Sequence, residues 1–306
     1  MTAQTSIEWT QRSWNPIRGC SRISEGCRHC YAEQIAARFS GVGQPYEGLA
    51  TRSPARWTGK LQFIKKDVCA PFSWKKPQCV FVNSMSDLFH EDVKFDWLVE
   101  IFYVMLKATK HTFQILTKRA GVMSQQVPRV MAKLNINDPL TNVWLGVSVE
   151  DQKTADERIP LLLQTPAAVR WLSCEPLLGT IDLDGNSDPI RRGVQHWDYF
   201  RMSKEKIDWV VVGGESGTGA RPMHPDWARS LRDQCTAAGA PFFFKQWGAW
   251  WPSENDHSPT IYRGHVWPDG TLALRVGKKN AGRLLDGREW NEFPHGAERL
   301  LLEATQ

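Results

Sequence analysis

Three cysteines near the N-terminus constrain this chain more than any other feature. They are Cys20, Cys27 and Cys30, in the run Asn15-Pro16-Ile17-Arg18-Gly19-Cys20, followed by Glu25-Gly26-Cys27-Arg28-His29-Cys30-Tyr31-Ala32. Three thiolates in one loop match three corners of a cubane [4Fe–4S] cluster, which normally takes four cysteine ligands. The fourth iron is then open to a small chelating molecule. S-adenosyl-L-methionine suits that position, because its amino and carboxylate groups chelate iron. One electron from the cluster then breaks a C–S bond, and the protein's task is to aim that chemistry.

The same residues support blander readings. A structural Zn site takes four protein ligands. Here the fourth would be His29 or a distant residue. A Cys-x2-Cys pair is common in Zn ribbons, yet no second pair follows. Three unpaired core cysteines are a third reading. Arg18, Arg22, Glu25, Gly26 and Arg28 surround the thiols and suit an exposed loop better than a core.

Composition narrows the class. With 306 residues and 42% hydrophobic content, the chain is long enough for one large domain or two small ones. Cysteines number seven, an odd count, and Met1 to Glu8 is polar. Secretion and a disulfide framework are therefore not expected, and a cytoplasmic location is. No run approaches the ~18 apolar residues of a membrane span. A net charge of +5 permits a polyanionic partner without demanding one. Fifteen tryptophans are many for this length. Their faces can stack on bases, but buried tryptophans more commonly fill cores.

Short apolar runs recur along the chain. They are Cys79–Asn83, Thr112–Thr117, Val143–Ser148, Ala168–Ser173, Asp208–Gly213 and Pro241–Lys245. Rich in Val, Phe and Trp and with little alternation, they predict strands buried on both faces. Helical periodicity lies between them at Phe95–Ala108, Asp151–Leu163 and Pro225–Ala238. A further strand is expected at Ile7–Thr10 or Trp14–Ile17, leading into the cysteine loop. The alternation predicts an α/β fold with the site at the C-terminal ends of the strands. Polar groups gather at those ends: Asn83 to Asp87, Thr117 to Arg119, Ser148 to Glu150, Ser173 to Pro176, Gly213 to Gly217, and Lys245 to Trp247. Some of them can equally be helix caps, Ser86, Asp87 and Asp151 among them. Gly213-Gly214-Glu215-Ser216-Gly217 lacks both the Gly-Lys-Ser/Thr ending of a P-loop and the dinucleotide spacing. Close approach of its backbone to a ligand fits better. Residues 184–206 read as an insertion, residues 1–248 as the main domain, and residues 249–306 as an irregular or β-rich C-terminal appendage.

Several phrases occur in an order that resembles a known group. They are Trp14-Asn15-Pro16-Ile17-Arg18-Gly19-Cys20, Asp87-Leu88-Phe89-His90, Ile115-Leu116-Thr117-Lys118-Arg119, Gly146-Val147-Ser148-Val149-Glu150, Cys174-Glu175-Pro176-Leu177-Leu178-Gly179, Val212-Gly213-Gly214-Glu215-Ser216-Gly217 and Phe244-Lys245-Gln246-Trp247-Gly248. Together they resemble a bacterial and phage three-cysteine-motif family of poorly assigned function. That family is similar to a divergent radical SAM branch, near the spore photoproduct lyase group. The resemblance implies a partial (β/α)6 TIM-like barrel, a [4Fe–4S] cluster on Cys20, Cys27 and Cys30, and S-adenosyl-L-methionine as cofactor. It departs from the common pattern in its spacing, Cys-x6-Cys-x2-Cys rather than Cys-x3-Cys-x2-Cys, and in His29, where an aromatic carbocycle often stands.

The resemblance also implies roles. Asn83, Ser84 and Ser86 approach the amino-acid end of the cofactor, and Ser148 and Glu150 its sugar. Glu175, Gly213, Gly214 and Glu215 line the far side. His29 and Tyr31 flank the ligand from the cysteine loop. Asp87, Lys118 and Glu215 are the candidate catalytic groups. The implied reaction is of lyase or transferase type on a nucleic-acid base, DNA favoured, for modification or repair. An electron donor such as flavodoxin or ferredoxin is implied too. Arg18, Arg22, Arg28, Lys118, Arg119, Arg221, Lys245, Trp247, Lys278, Lys279 and Arg283 are the basic or aromatic candidates for nucleic-acid contact. A radical enzyme acting on a small metabolite or peptide is the alternative. A non-catalytic Fe–S or Zn protein binding nucleic acid or a protein partner is a third reading.

Overall fold

The apolar runs form strands because each is buried along its whole length. A computed structural model describes residues 3–5, 7–185, 198–200, 205–253 and 263–294. The fold is mixed α/β, and its contacts divide it into two compact units: Met1–Ser148 with Glu157–Trp171 and Pro294–Gln306, and Val149–Asp156 with Leu172–Phe293. The expected boundary at residue 248 lies inside the second unit. Most of the expected 184–206 insertion lies outside the described residues.

The first unit begins with β1 (Ala3–Gln4), β2 (Arg12–Trp14) and β3 (Ile17–Arg18). Helix α1 (Tyr31–Arg38) follows the cysteine loop. Then come β4 (Ala50–Arg52), β5 (Ala55–Trp57), β6 (Gln62–Phe63) and α2 (Lys65–Val68). The remaining elements are β7 (Cys79–Val82), α3 (Phe95–Lys107), β8 (Thr112–Thr117), α4 (Ala120–Lys133) and β9 (Val143–Ser148). Strand β2 pairs parallel with β7 (Trp14↔Val82), β7 with β8 (Val82↔Ile115), and β8 with β9 (Thr117↔Val147). Their C-terminal ends therefore share one edge, where Asn83, Lys118 and Ser148 stand.

Strand β2 begins after one expected position and shares only Trp14 with the other, since Ile7–Thr10 is a turn and Pro16 stops β2 from continuing. A proline has no N–H to give to a ladder. Helix α4 was not anticipated. Pro128 and several polar residues mask its buried positions Ala120, Met123, Val127 and Val130, which nonetheless recur at helical spacing. Fully buried Trp9 meets Phe81 and Trp171 edge-on at 4.9 and 5.1 Å, and Trp14 meets Phe113 at 5.6 Å. Those tryptophans are core, not platforms for bases.

Helix α5 (Gln152–Gln164) and β10 (Val169–Cys174) run across the division in the chain. The second unit holds β11 (Trp209–Gly213), α6 (Pro225–Ala238) and β12 (Phe242–Gln246), with β11 and β12 parallel (Val211↔Phe243). It also holds β13 (Trp250–Ser253), β14 (Gly264–Val266), β15 (Leu272–Arg275) and α7 (Lys278–Ala281). Those three strands form an antiparallel sheet in the order β13-β15-β14, in line with the expected β-rich C-terminal part. The main sheet runs β1-β2-β7-β8-β9-β10-β11-β12, and its seven strands from β2 to β12 are those of a partial TIM-like barrel. Among the described residues no helix is long and apolar enough to cross a membrane.

Acid sensitivity follows from two buried histidines of the first unit. His111 is fully buried, and its Nε2 lies 3.0 Å from the Pro71 carbonyl oxygen, to which it donates. Burial lowers its pKa, as burial and then the Arg119 charge lower that of His90. The folded state thus resists protons that the unfolded chain accepts below about pH 6.5. Their stabilising contribution is complete above that pH and is lost as pH falls from there through the depressed folded values. The expected loss reaches about 1.4 kcal/mol per pH unit for each histidine. Urea melts at pH 7.5 and 5.5 should show it, and His111→Gln should reduce the slope.

Candidate functional site

The cysteine loop is built by close backbone approach and then fixed by two arginines. Strand β3 pairs antiparallel with β6, and Gly19 follows it at φ +94°. A Cβ on Gly19 would lie 2.1 Å from the Lys60 carbonyl oxygen, so only glycine fits. Gly19 also bridges Ser86, beyond β7. The next residues carry Cys20. A 3-10 turn at Glu25–Cys27 carries Cys27, closed by the Cys27 N–H donating to Ser24 O at 3.0 Å. Cys30 caps the N-terminus of α1.

All three thiols are half-buried and free of disulfides, while Cys69 is exposed and Cys79, Cys174 and Cys235 are core residues. Burial, and then the Asp87 carboxylate, pushes Cys20 up to about 12. Burial also raises Cys30, opposed by the Glu33 and Ala32 backbone N–H groups of α1. Among the described residues, one set of three ligand atoms lies mutually within 4.8 Å: His224, Asp226 and Asp269, in the second unit.

Arg22 and Arg119 tie the loop to two different anchors. The Arg22 guanidinium engages Glu33, which is wholly buried and also accepts from Trp57 N–H at 2.9 Å. Arg119 donates through Nε to Glu91 at 2.7 Å, through Nη1 to Asp87 at 3.1 Å, and through Nη2 to Ser21 O and Oγ at 3.2 and 2.8 Å. Ser21 Oγ is also 2.8 Å from His90 Nε2. Asp87 is buried and accepts further bonds from Thr117 Oγ1, Phe89 N and Lys118 N at 2.7, 3.0 and 3.2 Å. The structure thus brings Asp87, Lys118 and the cysteine loop together. It does so through the backbone of Lys118.

Asn83 sits just past β7 in the left-handed region, φ +59°, and is buried. Its Oδ1 lies 3.5 Å from Ile17 N, while its Nδ2 has no hydrogen-bond partner. An orphaned donor in the interior is costly unless something accepts from it. Ser84 Oγ donates to Asn15 Oδ1 at 3.2 Å, and Ser86 Oγ to Ile17 O at 3.0 Å. Tyr31 is half-exposed and donates to Ser84 O at 3.0 Å. His29 is half-buried in the same loop. Ser148 is buried at the end of β9, with its carbonyl accepting from Arg158 at 2.7 Å.

The remaining expected residues belong to the second unit. Glu150 is buried, with its N–H on Thr154 Oγ1 at 2.9 Å. Glu175 pairs with Lys245 at 2.9 Å and accepts from Ser173 Oγ at 3.2 Å. Gly213 lies against Glu175, whose Oε1 would be 3.0 Å from a Cβ there. A Cβ on Gly214 would lie 2.1 Å from Trp247 O, so protein backbone, rather than a ligand, occupies the space that this glycine leaves. Glu215 is held by Arg221 through N at 2.8 Å, Nε at 3.0 Å and Nη2, which fixes the loop between them. Sequence reasoning missed Glu33 and assigned no role to Asn15. A buried acid three residues past the last cysteine has no local signal, because its partner is set by the tertiary fold.

Residues 4–294 match the model of a family described as "Protein of unknown function (DUF5131)". The chain belongs to that family. None of the curated proteins matches it. Solved structures similar to it include a cysteine variant of spore photoproduct lyase, 9% identical, covering 92% of this chain and 72% of that one, with a TM-score of 0.42. A double variant of the same lyase, with bound AdoMet and dinucleoside spore photoproduct, is 11% identical and covers 100% and 74%, with a TM-score of 0.37. At that degree of likeness no residue role passes from those proteins to this one.

Proposed function

We propose that this chain is a radical-type enzyme that holds a [4Fe–4S] cluster on Cys20, Cys27 and Cys30 and uses S-adenosyl-L-methionine. The observation that carries the reading is the cysteine loop itself: three free, half-buried thiols in one loop pinned at Gly19, Ser21 and Arg22. The unpartnered Nδ2 of Asn83, beside the strand that leads into the loop, supports it. When bound, such a cluster supplies one electron to the sulfonium of the cofactor. The protein's own part is to hold and orient. Each thiol must lose its proton to ligate iron, and the α1 N–H groups assist Cys30 in doing so. Asp87 and Arg119 keep the segment after Cys20 in register with the end of β8. Anaerobic reconstitution, followed by assay for 5′-deoxyadenosine under reducing conditions, tests the reading. Iron and sulfide without that product would reduce it to a non-catalytic Fe–S protein.

The substrate class we favour is nucleic acid. The support is narrower than the charge list implies. Arg18 pairs with Asp67, Arg28 with Glu25, Arg221 with Glu215, Lys245 with Glu175 and Arg283 with Glu289, and Trp247 is buried. Arg22 and Arg119 are spent on the cysteine loop. What supports the reading is the solvent exposure of Lys278 and Lys279 on α7, with half-exposed Trp251 on β13 as an aromatic face. Each phosphate contact lowers the salt slope by about 0.7–0.9. Binding to single-stranded and duplex DNA and RNA across a salt series should fall steeply with salt, single strands binding better. Reversal of Lys278 and Lys279 to Glu should flatten the slope by about 2. Micromolar-or-weaker binding at low salt, unchanged by the reversal, would move the reading to a small-molecule substrate.

A further inference from the structure

Arg119 stands at a polar strand end and is a candidate for nucleic-acid contact by sequence, yet it is among the most enclosed cations of the first unit, 5% exposed. Each of its three guanidinium nitrogens serves a different partner. Nε reaches Glu91, Nη1 reaches Asp87, and Nη2 reaches both oxygens of Ser21. Ser21 follows Cys20 directly and lies 98 positions from Arg119 in sequence. Asp87 is itself fixed by Thr117 Oγ1 and two backbone N–H groups.

We propose that Arg119 is a positioning residue: it straps the Cys20 end of the cysteine loop to the rigid C-terminal end of β8, so that the first thiol is held in place before any metal arrives. The strap needs a fork. Lysine offers a point charge on a flexible stem and cannot serve three divergent acceptors at once. Hydrogen bonds to charged groups are the stronger kind, so losing the strap should free Cys20 at least about tenfold. This inference uses the cluster reading only for its second readout.

The test is alkylation by iodoacetamide of the iron-free protein at fixed pH, read per cysteine by mass spectrometry, with exposed Cys69 as the internal reference. Arg119→Ala and Arg119→Lys should both label Cys20 at least about tenfold faster relative to Cys69. Buried Cys79 and Cys235 should stay unlabelled. Wild-type protection in Arg119→Lys would overturn the proposal, because charge alone would then suffice. Should Cys79 and Cys235 become labelled, the variants have lost the fold, and Ser21→Ala decides instead. That change removes one acceptor from a half-buried position and should speed Cys20 labelling several-fold, with no change counting against the strap. In anaerobically reconstituted Ser21→Ala protein, the EPR signal of the reduced cluster should differ from wild type, and an identical signal overturns the positioning role. Absence of iron from every sample would sink the cluster reading and leave the labelling result standing.

Discussion

Protein in which Cys20, Cys27 and Cys30 are all replaced by alanine should retain no iron or sulfide and show no iron–sulfur absorption after anaerobic reconstitution. Only these three thiols share a loop, and the other four are either core residues or, in Cys69, alone on the surface. The fold should survive, because the loop is held by Arg22–Glu33 and Arg119–Asp87 contacts that do not involve sulfur. Ligation costs each thiol its proton. Burial holds Cys20 and Cys30 above the ordinary cysteine value in the iron-free protein. Assembly should therefore release protons and become more favourable as pH rises. Changing Cys79 and Cys235 to alanine instead should leave iron content intact and lower stability. Full iron in the triple variant would remove the assignment.

Gly214→Ala is expected to be among the most damaging single methyl groups in the second unit. Its Cβ would come within 2.1 Å of Trp247 O, a backbone atom. Trp247 cannot retreat: its N–H donates to Gly282 O at 3.2 Å, its indole N–H to Leu284 O at 2.8 Å, and its ring packs on Phe244 at 4.9 Å. Gly214 is tied from the other side, donating to Gln246 O at 3.0 Å, while Ala249 N–H donates to Glu215 O at 2.8 Å. Overpacking of this kind costs about 1–3 kcal/mol and more where backbone must move, so a loss of roughly 3 kcal/mol is expected. Gly121→Ala is the control. It adds a methyl in α4 with nothing within 4 Å, and should be neutral or slightly stabilising by helix propensity. Denaturant melts of both variants check the contrast. Equal effects would mean that the close crossing of residues 214 and 247 is not a constraint on the fold.

Much of the architecture was legible because it depends on local pattern. The runs at Thr112–Thr117 and Val143–Ser148 coincide with β8 and β9, since a strand buried on both faces must be apolar throughout. Pro225–Ala238 coincides with α6, whose N-terminal proline and following Gly239 at φ +67° mark both ends. Helix α4 was hidden by its internal Pro128, and the strand before the cysteine loop was displaced by the turn at Ile7–Thr10.

The candidate site divides along the same line. By itself the sequence singled out the three loop cysteines as candidate ligands, because that chemistry is written in residue type and short spacing. It also determined the polar strand ends at Asn83, Asp87 and Ser148, because parallel strands bring those ends to one edge. Only the tertiary structure decided which charges are already committed. Arg22 and Arg119 read as candidates for nucleic-acid contact, yet they are ion-paired to Glu33 and to Asp87 and Glu91, which lie 11, 32 and 28 positions away. Gly214 read as room for a ligand, yet that room is filled by Trp247 O. The physical reason is the same in each case. A charge or a missing side chain has no meaning until its partner is known, and partners that distant in sequence are chosen by chain crossing rather than by local preference.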